Sequence, residues 1–505
     1  MYISMQISVL FFSFCLIACS NPTIHTQSTQ EDTVGAFTDL TDTGDIIDTS
    51  EPLPSASIPN PFVVEEDQSL GLVNTSFDLE EVLEYGYLQD ACAWYEQYPD
   101  DEYFELLCGK YMFFYEGFGG MGIPKPLFDF VNSEFRDYLG DGFERYGMIA
   151  DPYSPDKNPI GYGEGSPMGS VKTMAYSCAS CHFGQLPDGR YSVGMANYDY
   201  DIGKQFLTFM LLPSSVMWGF KDEEHSAEAL SIIDPMRRKI QGNPLLLATM
   251  GWELLPLLWE SDISASQMSK ETEEAYASWQ SGTMDVFIAP LPIDDQVHVV
   301  AKIPTLWNIP NREEQERFSM QNAQLSWIGT SPSVEHFLRG FLALGDSGWT
   351  IEDVRPLIRY LETLQAPKTL ENLNPASLER GKELFWNSCI DCHQGYQGSS
   401  IELFDYEEIG TDEQMKYTLD ADLDGEVCCG IDAHTTHQIK APRLTGVWGK
   451  ERLLHNGSVD NLDQLLCLHS TRDDETPIFG NVGHWYGCDF SVQDKIDIRE
   501  FLKSL

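Results

Sequence analysis

Positive charge is what this sequence has least of. Lys and Arg together number 31 against 79 Asp and Glu, a formal net charge of −48. A surface of that sign repels phosphate backbones and anionic headgroups, which argues against nucleic acid and acidic lipid as partners. It favours solubility and would steer a basic partner toward the chain. Basic residues are also missing where an export signal normally has them, since residues 1–6 contain no Lys or Arg. The apolar run that follows, residues 7–17, is too short to span a bilayer as a permanent helix.

What is present at the N-terminus still reads as an export signal. Leu16-Ile17-Ala18-Cys19 resembles the bacterial lipobox, in which the Cys becomes the lipidated first residue, and Ser20 fits outer-membrane sorting. The expected location is that of an exported lipoprotein at the outer membrane or facing the periplasm, tied to the membrane by its N-terminal lipid only. Residues 20–70 are rich in Thr, Asp, Ser and Pro and cannot bury enough apolar surface to fold, which predicts a disordered tether. The aromatic-rich stretch 77–143 opens the globular part. At 505 residues and 42% apolar, the chain can build two or three cores.

The twelve cysteines sort by position. Cys15 and Cys19 belong to the signal. Cys178-Ala179-Ser180-Cys181-His182 and Cys389-Ile390-Asp391-Cys392-His393 carry the spacing of c-type haem attachment. Two thiols separated by two residues can each form a thioether to one haem vinyl group, and the adjacent His reaches the iron from the same side. His182 and His393 are thus the predicted proximal ligands of two covalently bound haems. The other cysteines are Cys92, Cys108, Cys428, Cys429, Cys467 and Cys488. An even remainder in an exported chain predicts disulfides. Cys92 and Cys108 are partners by proximity, and the connectivity of the last four is open.

Two segments read as matching domain ends. Thr350-Ile351-Glu352-Asp353 precedes Leu357, Ile358, Leu361 and Leu364. Ser491-Val492-Gln493-Asp494 precedes Ile496, Ile498, Phe501, Leu502 and Leu505. Each opens with a capping hydroxyl and an acid three residues on, then continues at helical spacing. Residues 366–375 read as a linker, and Pro375 opens a helix over 376–385 that leads into the second motif. The expected fold is mainly α: two tandem cytochrome c-like domains, 71–368 enlarged by insertions and 369–505, after a signal peptide (1–19) and the tether (20–70).

The C-terminal third resembles the di-haem cytochrome c peroxidase superfamily, most closely its rubber-oxygenase-like branch. Ile409-Gly410-Thr411-Asp412, the run from Lys440 through Ala441, Pro442, Arg443, Leu444, Thr445, Gly446 and Val447 to Trp448, and Leu454-His455-Asn456-Gly457-Ser458-Val459 carry the likeness. Gly483-His484-Trp485-Tyr486-Gly487 is similar to the rubber-oxygenase branch in particular. Lys302-Ile303-Pro304-Thr305-Leu306-Trp307 resembles the segment whose Trp lies between the haems. The likeness covers roughly residues 170–505 and implies a relay haem in the C-terminal domain and a reactive haem in the N-terminal one. It makes His484 the second ligand of the C-terminal iron, with His469 as rival and Met415, His434 or His437 behind them. His455 then packs beside that haem without binding iron, and Trp307 is the electron bridge. After Trp307 the sequence departs from relatives, with Phe318-Ser319-Met320-Gln321-Asn322 where a His-Trp-Asp-Gly-like stretch often stands. Candidates for the open face of the N-terminal haem are Phe318, His225, His298 and His336.

Asp420, Asp422 and Asp424, followed by Gly425, alternate as in a calcium loop, although Ile431 stands where such a loop wants Glu. Together these features predict an oxidoreductase acting on hydrogen peroxide or oxygen, fed by a redox partner protein or small electron donor. The alternatives are a non-catalytic electron-transfer di-haem cytochrome c, which needs a second protein ligand at both irons, and an idle haem-bearing lipoprotein.

Overall fold

The helix expected before the second motif forms where its end signals place it. In a computed structural model of the chain it runs over Pro375–Ser388 (designated α6 below). Asn374 caps it by accepting the Ala376 and Ser377 amides, and Pro375 occupies the first turn, where its missing N–H costs nothing. Residues 60–505 are described, except 85, 87–89, 118–121, 169, 217–219, 261–268, 286–299, 321–324, 326–328, 330–332, 346–348, 418–436, 470 and 476–478.

Helix predominates and the strands are short. In chain order the elements that position the site are α1 (Glu102–Tyr115), β1 (Tyr162–Met168), β2 (Val171–Tyr176), α2 (Cys178–His182), β3 (Phe183–Gln185), β4 (Tyr191–Val193), α3 (Ile202–Ser215), α4 (Ala227–Gln241), β5 (Val300–Lys302), α5 (Arg355–Glu362), α6, β6 (Leu403–Asp405), β7 (Gln438–Lys440) and α7 (Val492–Lys503). The strand pairings within the described sheets are antiparallel, and a single parallel bridge joins Glu116 to Glu164. β2 lies between β1 and Ile123–Pro124, β4 lies between β3 and Thr75–Ser76, β5 pairs with Thr283–Asp285, and β6 pairs with β7.

Two helix pairs share one device. α5 packs on α1 and α7 packs on α6, and each contact falls on a glycine. A Cβ on Gly109 of α1 would lie 2.1 Å from the Pro356 carbonyl oxygen of α5. A Cβ on Gly381 of α6 would lie 2.0 Å from the Asp497 carbonyl oxygen of α7. The second crossing is pinned by Arg380, which reaches both Asp497 carboxylate oxygens at 2.6 and 2.9 Å. Ser491 caps α7 through the Asp494 amide, as expected. The capped start expected at Thr350 does not begin a helix. Thr350 N and Oγ1 both bond Asp353, at 2.7 and 2.8 Å, but they close a turn, and α5 starts at Arg355 without a side-chain cap. The reason is Pro356, which suits the first turn of a helix and not its interior.

Three large apolar clusters follow this plan. One joins α1, α5, Phe183, Val193 and Trp307. A second joins Phe128 and Phe143, from before the first motif, to Tyr200, Phe209 and the inner faces of α3 and α4 after it. A third gathers Phe385, Ile390, Val447, Leu453, Val459, Phe501 and Leu502. The expected tether over 20–70 is corrected at its C-terminal end. Phe62 packs on Phe385 and Phe501, Pro61 and Val63 carbonyls accept from Gln397, and Asn308 donates to Glu65 at 2.7 Å. The apolar triplet Phe62-Val63-Val64 is diluted by the polar composition around it, so the tract average hides it. Residues 61–505 form one compact unit. Across residue 368, Trp448 donates to the Pro367 carbonyl and Arg190 to the Lys368 carbonyl, at 2.9 and 2.7 Å. No helix among the described residues is long and apolar enough to cross a membrane.

Candidate haem sites

The first motif is a single helical turn, α2, set between β2 and β3. Ser177 precedes it and donates to the Phe114 carbonyl of α1 at 2.9 Å, while Ser180 donates back to Ser177 at 2.7 Å. One turn puts residues three apart on one side, so Cys178 and Cys181 are neighbours. Cys181 borders both the first and the second apolar cluster. His182 Nδ1 lies 3.0 Å from the Pro304 carbonyl oxygen, so it carries the proton and donates, leaving Nε2 with a free lone pair. Burial lowers the His182 pKa to about 4, against the opposite pull of the Pro304 bond. The ring is neutral at physiological pH, as a metal-binding imidazole must be.

The second motif begins at the C-cap of α6, where Cys389 N bonds the Phe385 carbonyl. His393 is 8% exposed, and its Nδ1 donates to the Gly398 carbonyl. Each motif His is thus oriented by a backbone carbonyl, the outer partner that fixes which nitrogen is free for metal. His484 takes φ +48°, a backbone state that side-chain-bearing residues seldom adopt. It is held there by its amide on Ile409 O at 2.8 Å and by Arg472, which donates to Gly483 O at 2.6 Å and His484 O at 2.8 Å. Burial lowers the His484 pKa to about 4, with His393 and Arg472 adding to the effect as nearby like charges. Nδ1 of His484 is buried with no hydrogen-bond partner among the described residues.

Among the described residues the free cysteines are Cys178, Cys181, Cys389 and Cys392. The others pair, Cys92 with Cys108 as expected and Cys467 with Cys488, while Cys428 and Cys429 lie outside the described residues. Burial pushes the Cys178 thiol up to about 12, Cys181 to about 11 and Cys389 to about 12, and raises Cys392. A redox Cys-x-x-Cys pair needs the opposite, a thiol pulled down toward neutrality. No cluster of three or more His, Cys, Asp or Glu among the described residues is placed to hold a bare metal ion. The geometry disfavours both a thiol-exchange pair and a zinc site of this kind there.

Residues 302–308 tie the two motifs together. His182 donates to Pro304 O, Leu306 N donates to Gly194 O at 2.8 Å, and Trp307 Nε1 donates to Val193 O at 2.8 Å. From the other side Lys302 N donates to His455 O at 2.8 Å, and Arg443 donates to Thr305 O and Trp307 O at 3.3 and 3.1 Å. Trp307 is 1% exposed. Glycines let the backbone approach its ring from both directions. A Cβ on Gly194 would lie 3.0 Å from its Cδ1, and one on Gly446, where φ is +65°, 2.8 Å from its Cε3.

The remaining candidates fall elsewhere. Phe318 is buried against Tyr396 (ring centres 5.8 Å apart) and Met320, three residues beyond His393 in chain order and in a cluster that holds no residue of the first motif. His225 bonds Glu273 at 2.7 Å and stacks on Phe220, while the other Glu273 oxygen accepts Ser226 N at the start of α4, a structural arrangement. His469 is exposed, 4.0 Å from Asp463. Met415 is buried, and His437 is exposed with its Nδ1 3.2 Å from Lys416 O. His455 is buried with Nε2 3.0 Å from Asp412. His298, His434, Asp420, Asp422 and Asp424 lie outside the described residues, as does the side chain of His336. A cleft of about 810 Å³ is lined in part by Tyr198, Trp448, Lys450 and Arg452, and neither cysteine pair lines it.

Two groups were missed in the sequence. Tyr162, Tyr176 and Tyr200 all donate to the Gln205 side-chain oxygen beside Cys181, at 3.2 and 3.5 Å for the first two. Nothing in their spacing joins them, because they meet only through the β1–β2 pairing and the first turn of α3. Lys302, Lys440, Arg443 and Lys450 gather around the Trp307 segment. Their signal was legible: Lys440, Arg443 and Lys450 fall within eleven residues of a chain otherwise poor in positive charge. Comparison with protein-family models, curated proteins and solved structures finds no match to this chain.

Proposed function

We propose that this chain is an exported di-haem c-type cytochrome of the di-haem peroxidase type. It acts as an oxidoreductase on hydrogen peroxide or oxygen at the haem on His182, with the haem on His393 as electron relay. The observation that carries the reading is an asymmetry built on a shared motif. A second histidine, His484, lies within electrostatic reach of His393 and has its Nδ1 buried without a hydrogen-bond partner among the described residues, whereas the described surroundings that act on the His182 ring are burial and the Pro304 carbonyl. Two axial ligands suit electron transfer, and one leaves a coordination position open.

Other features agree with it. Among the described residues the motif cysteines alone stay unpaired while Cys92–Cys108 and Cys467–Cys488 form disulfides, which suits an oxidising compartment. The two glycine-crossed helix pairs, α1 with α5 and α6 with α7, suit two cytochrome c-like domains. The bound haems supply redox-active iron. Cys178, Cys181, Cys389 and Cys392 anchor them through thioethers, Pro304 and Gly398 hold the proton on Nδ1 of each motif histidine, and Trp307 fills the protein between the motifs and excludes water there.

Electron paramagnetic resonance of the oxidised protein tests this. One high-spin and one low-spin signal are expected, with cyanide converting only the high-spin one. Two low-spin signals untouched by cyanide would replace the enzyme with a pure electron-transfer cytochrome.

A further inference from the structure

In a chain that carries 31 basic against 79 acidic residues, three lysines are buried within one small volume. Lys302, Lys440 and Lys450 are 5%, 6% and 8% exposed, and the half-buried Arg443 joins them. The four are near enough that Lys302, Arg443 and Lys440 all act on Lys450 as like charges. An ammonium withdrawn from water is costly unless an anion accompanies it.

Each of these groups donates to a neutral oxygen. Lys450 Nζ donates to Arg443 O at 2.8 Å, Lys440 Nζ to Ser399 Oγ at 3.2 Å, and Lys302 Nζ to Arg452 O at 2.6 Å. Arg443 spends two donors on the Trp307 and Thr305 carbonyls. Lys440 and Lys450 each use one of three ammonium donors in this way, leaving donors for a further acceptor. The Glu65 carboxylate acts on Arg443, but it lies on the far N-terminal segment and does not figure among the influences on Lys440 or Lys450.

The position of the cluster identifies the acceptor. Lys440 bonds Ser399, the residue after Gly398, whose carbonyl orients His393. Lys302 and Arg443 border Pro304 and Thr305, next to the carbonyl that orients His182. The cations thus sit at the seam between the two motifs, around the Trp307 segment. We propose that Lys302, Lys440, Arg443 and Lys450 form a shared seat for the propionate carboxylates of the two haems. Each c-type haem carries two propionates, so the seat takes an anionic ligand in numbers that match its cations. This inference rests on the di-haem reading and adds to it a set of positioning residues that neither motif reveals. With haem bound, the seat would limit how each ring turns, because the motif cysteines would anchor it by thioethers and the cations would hold its propionates.

The test uses the holoprotein. A pyridine haemochrome assay on the wild type comes first, and absence of covalent haem would sink the di-haem reading itself. With two haems present, resonance Raman spectra of the wild type are compared with those of Lys440→Met and Lys450→Met, with Lys450→Arg and the exposed Lys172→Met as controls. The expected result is a shift of the propionate-bending bands and a lowered midpoint potential of one haem in each Met variant, with neither change in Lys172→Met and partial recovery in Lys450→Arg. Unmoved bands in a Met variant that keeps both haems would overturn the seat. So would midpoint potentials of the wild type that respond to added phosphate, which would mark the cluster as a site for a free inorganic anion. If the Met variants fail to load haem, recovery of loading by Lys450→Arg supports the seat. Failing that, wild-type bands at the frequencies of solvent-exposed propionates refute it.

Discussion

At the scale of single residues, the interior of this molecule tolerates positive charge in places that sequence pattern alone conceals. Lys110 on α1 is 0% exposed, and its Nζ donates to the Val73 carbonyl at 3.0 Å. Burial lowers its pKa to about 7, partly offset by Glu84. The unfolded chain holds this proton up to the ordinary lysine range, so between about pH 7 and 10.5 the unfolded state binds more protons than the folded one. Stability from this group therefore rises with pH across that window, by at most about 1.4 kcal/mol per unit. At neutral pH the buried ammonium is a burden, and Lys110→Met removes it while keeping the apolar stem. The variant is expected to be more stable than wild type by about 1–4 kcal/mol at pH 7, with the gap closing toward pH 10. Urea denaturation at the two pH values checks it, and a gap that is constant with pH would place the ammonium in water. In sequence, Lys110 reads as one more charge in an aromatic helix.

At the scale of elements, what could be read in advance was what depends on neighbours in the chain. The Asn374-Pro375 start of α6, the Ser491 cap of α7 and the Cys92–Cys108 pair are local signals and appear as expected. The haem motifs are local in the same sense. Features that need two distant segments were not legible. Phe318 lies by Tyr396 because residues beyond Trp307 travel with the Arg443 segment, and Phe62 docks between α6 and α7 from a tract whose composition says coil. The crossing glycines belong with these, since a glycine in a helix predicts nothing until its partner is known. Gly381 shows what hangs on it. Alanine there places a methyl 2.0 Å from the Asp497 carbonyl oxygen, a rigid neighbour, so α6 and α7 must part. Gly381→Ala is expected to cost about 1–3 kcal/mol despite alanine's better helix propensity. Its melting temperature should fall, and, if the proposed haem is bound at His393, its low-spin signal should broaden, because α6 delivers the second motif. An unchanged melting temperature would show that the two helices already have slack.

At the scale of the whole molecule, the surface keeps the acidic excess of a chain with net charge −48, because the buried cations are largely matched in number by the buried acids Glu105, Asp151, Glu273 and Asp497. Lys110, Lys302, Lys440 and Lys450 are all buried and contribute little to the field that an approaching protein meets. Meanwhile exposed acids such as Glu102 on α1, Glu313, Glu371 and Glu407 face solvent. On the proposed reading, an electron donor for the haem on His393 would approach a negative surface, and charge on the donor would decide how often it arrives. Screening shortens the reach of that field from about 30 Å at 0.01 M salt to about 10 Å at 0.1 M. Reduction of the oxidised protein by a cationic donor, followed by stopped-flow absorbance, is thus expected to slow by at least about 10-fold over that range. An anionic donor of similar potential should start slower and accelerate with salt. The comparison separates steering from chemistry, because salt alters the encounter and leaves the buried interior around Trp307 unchanged. Rates that ignore ionic strength for both donors would mean that electrons enter where buried cations and surface acids cancel, which would move the entry point toward the Lys440–Lys450 seam.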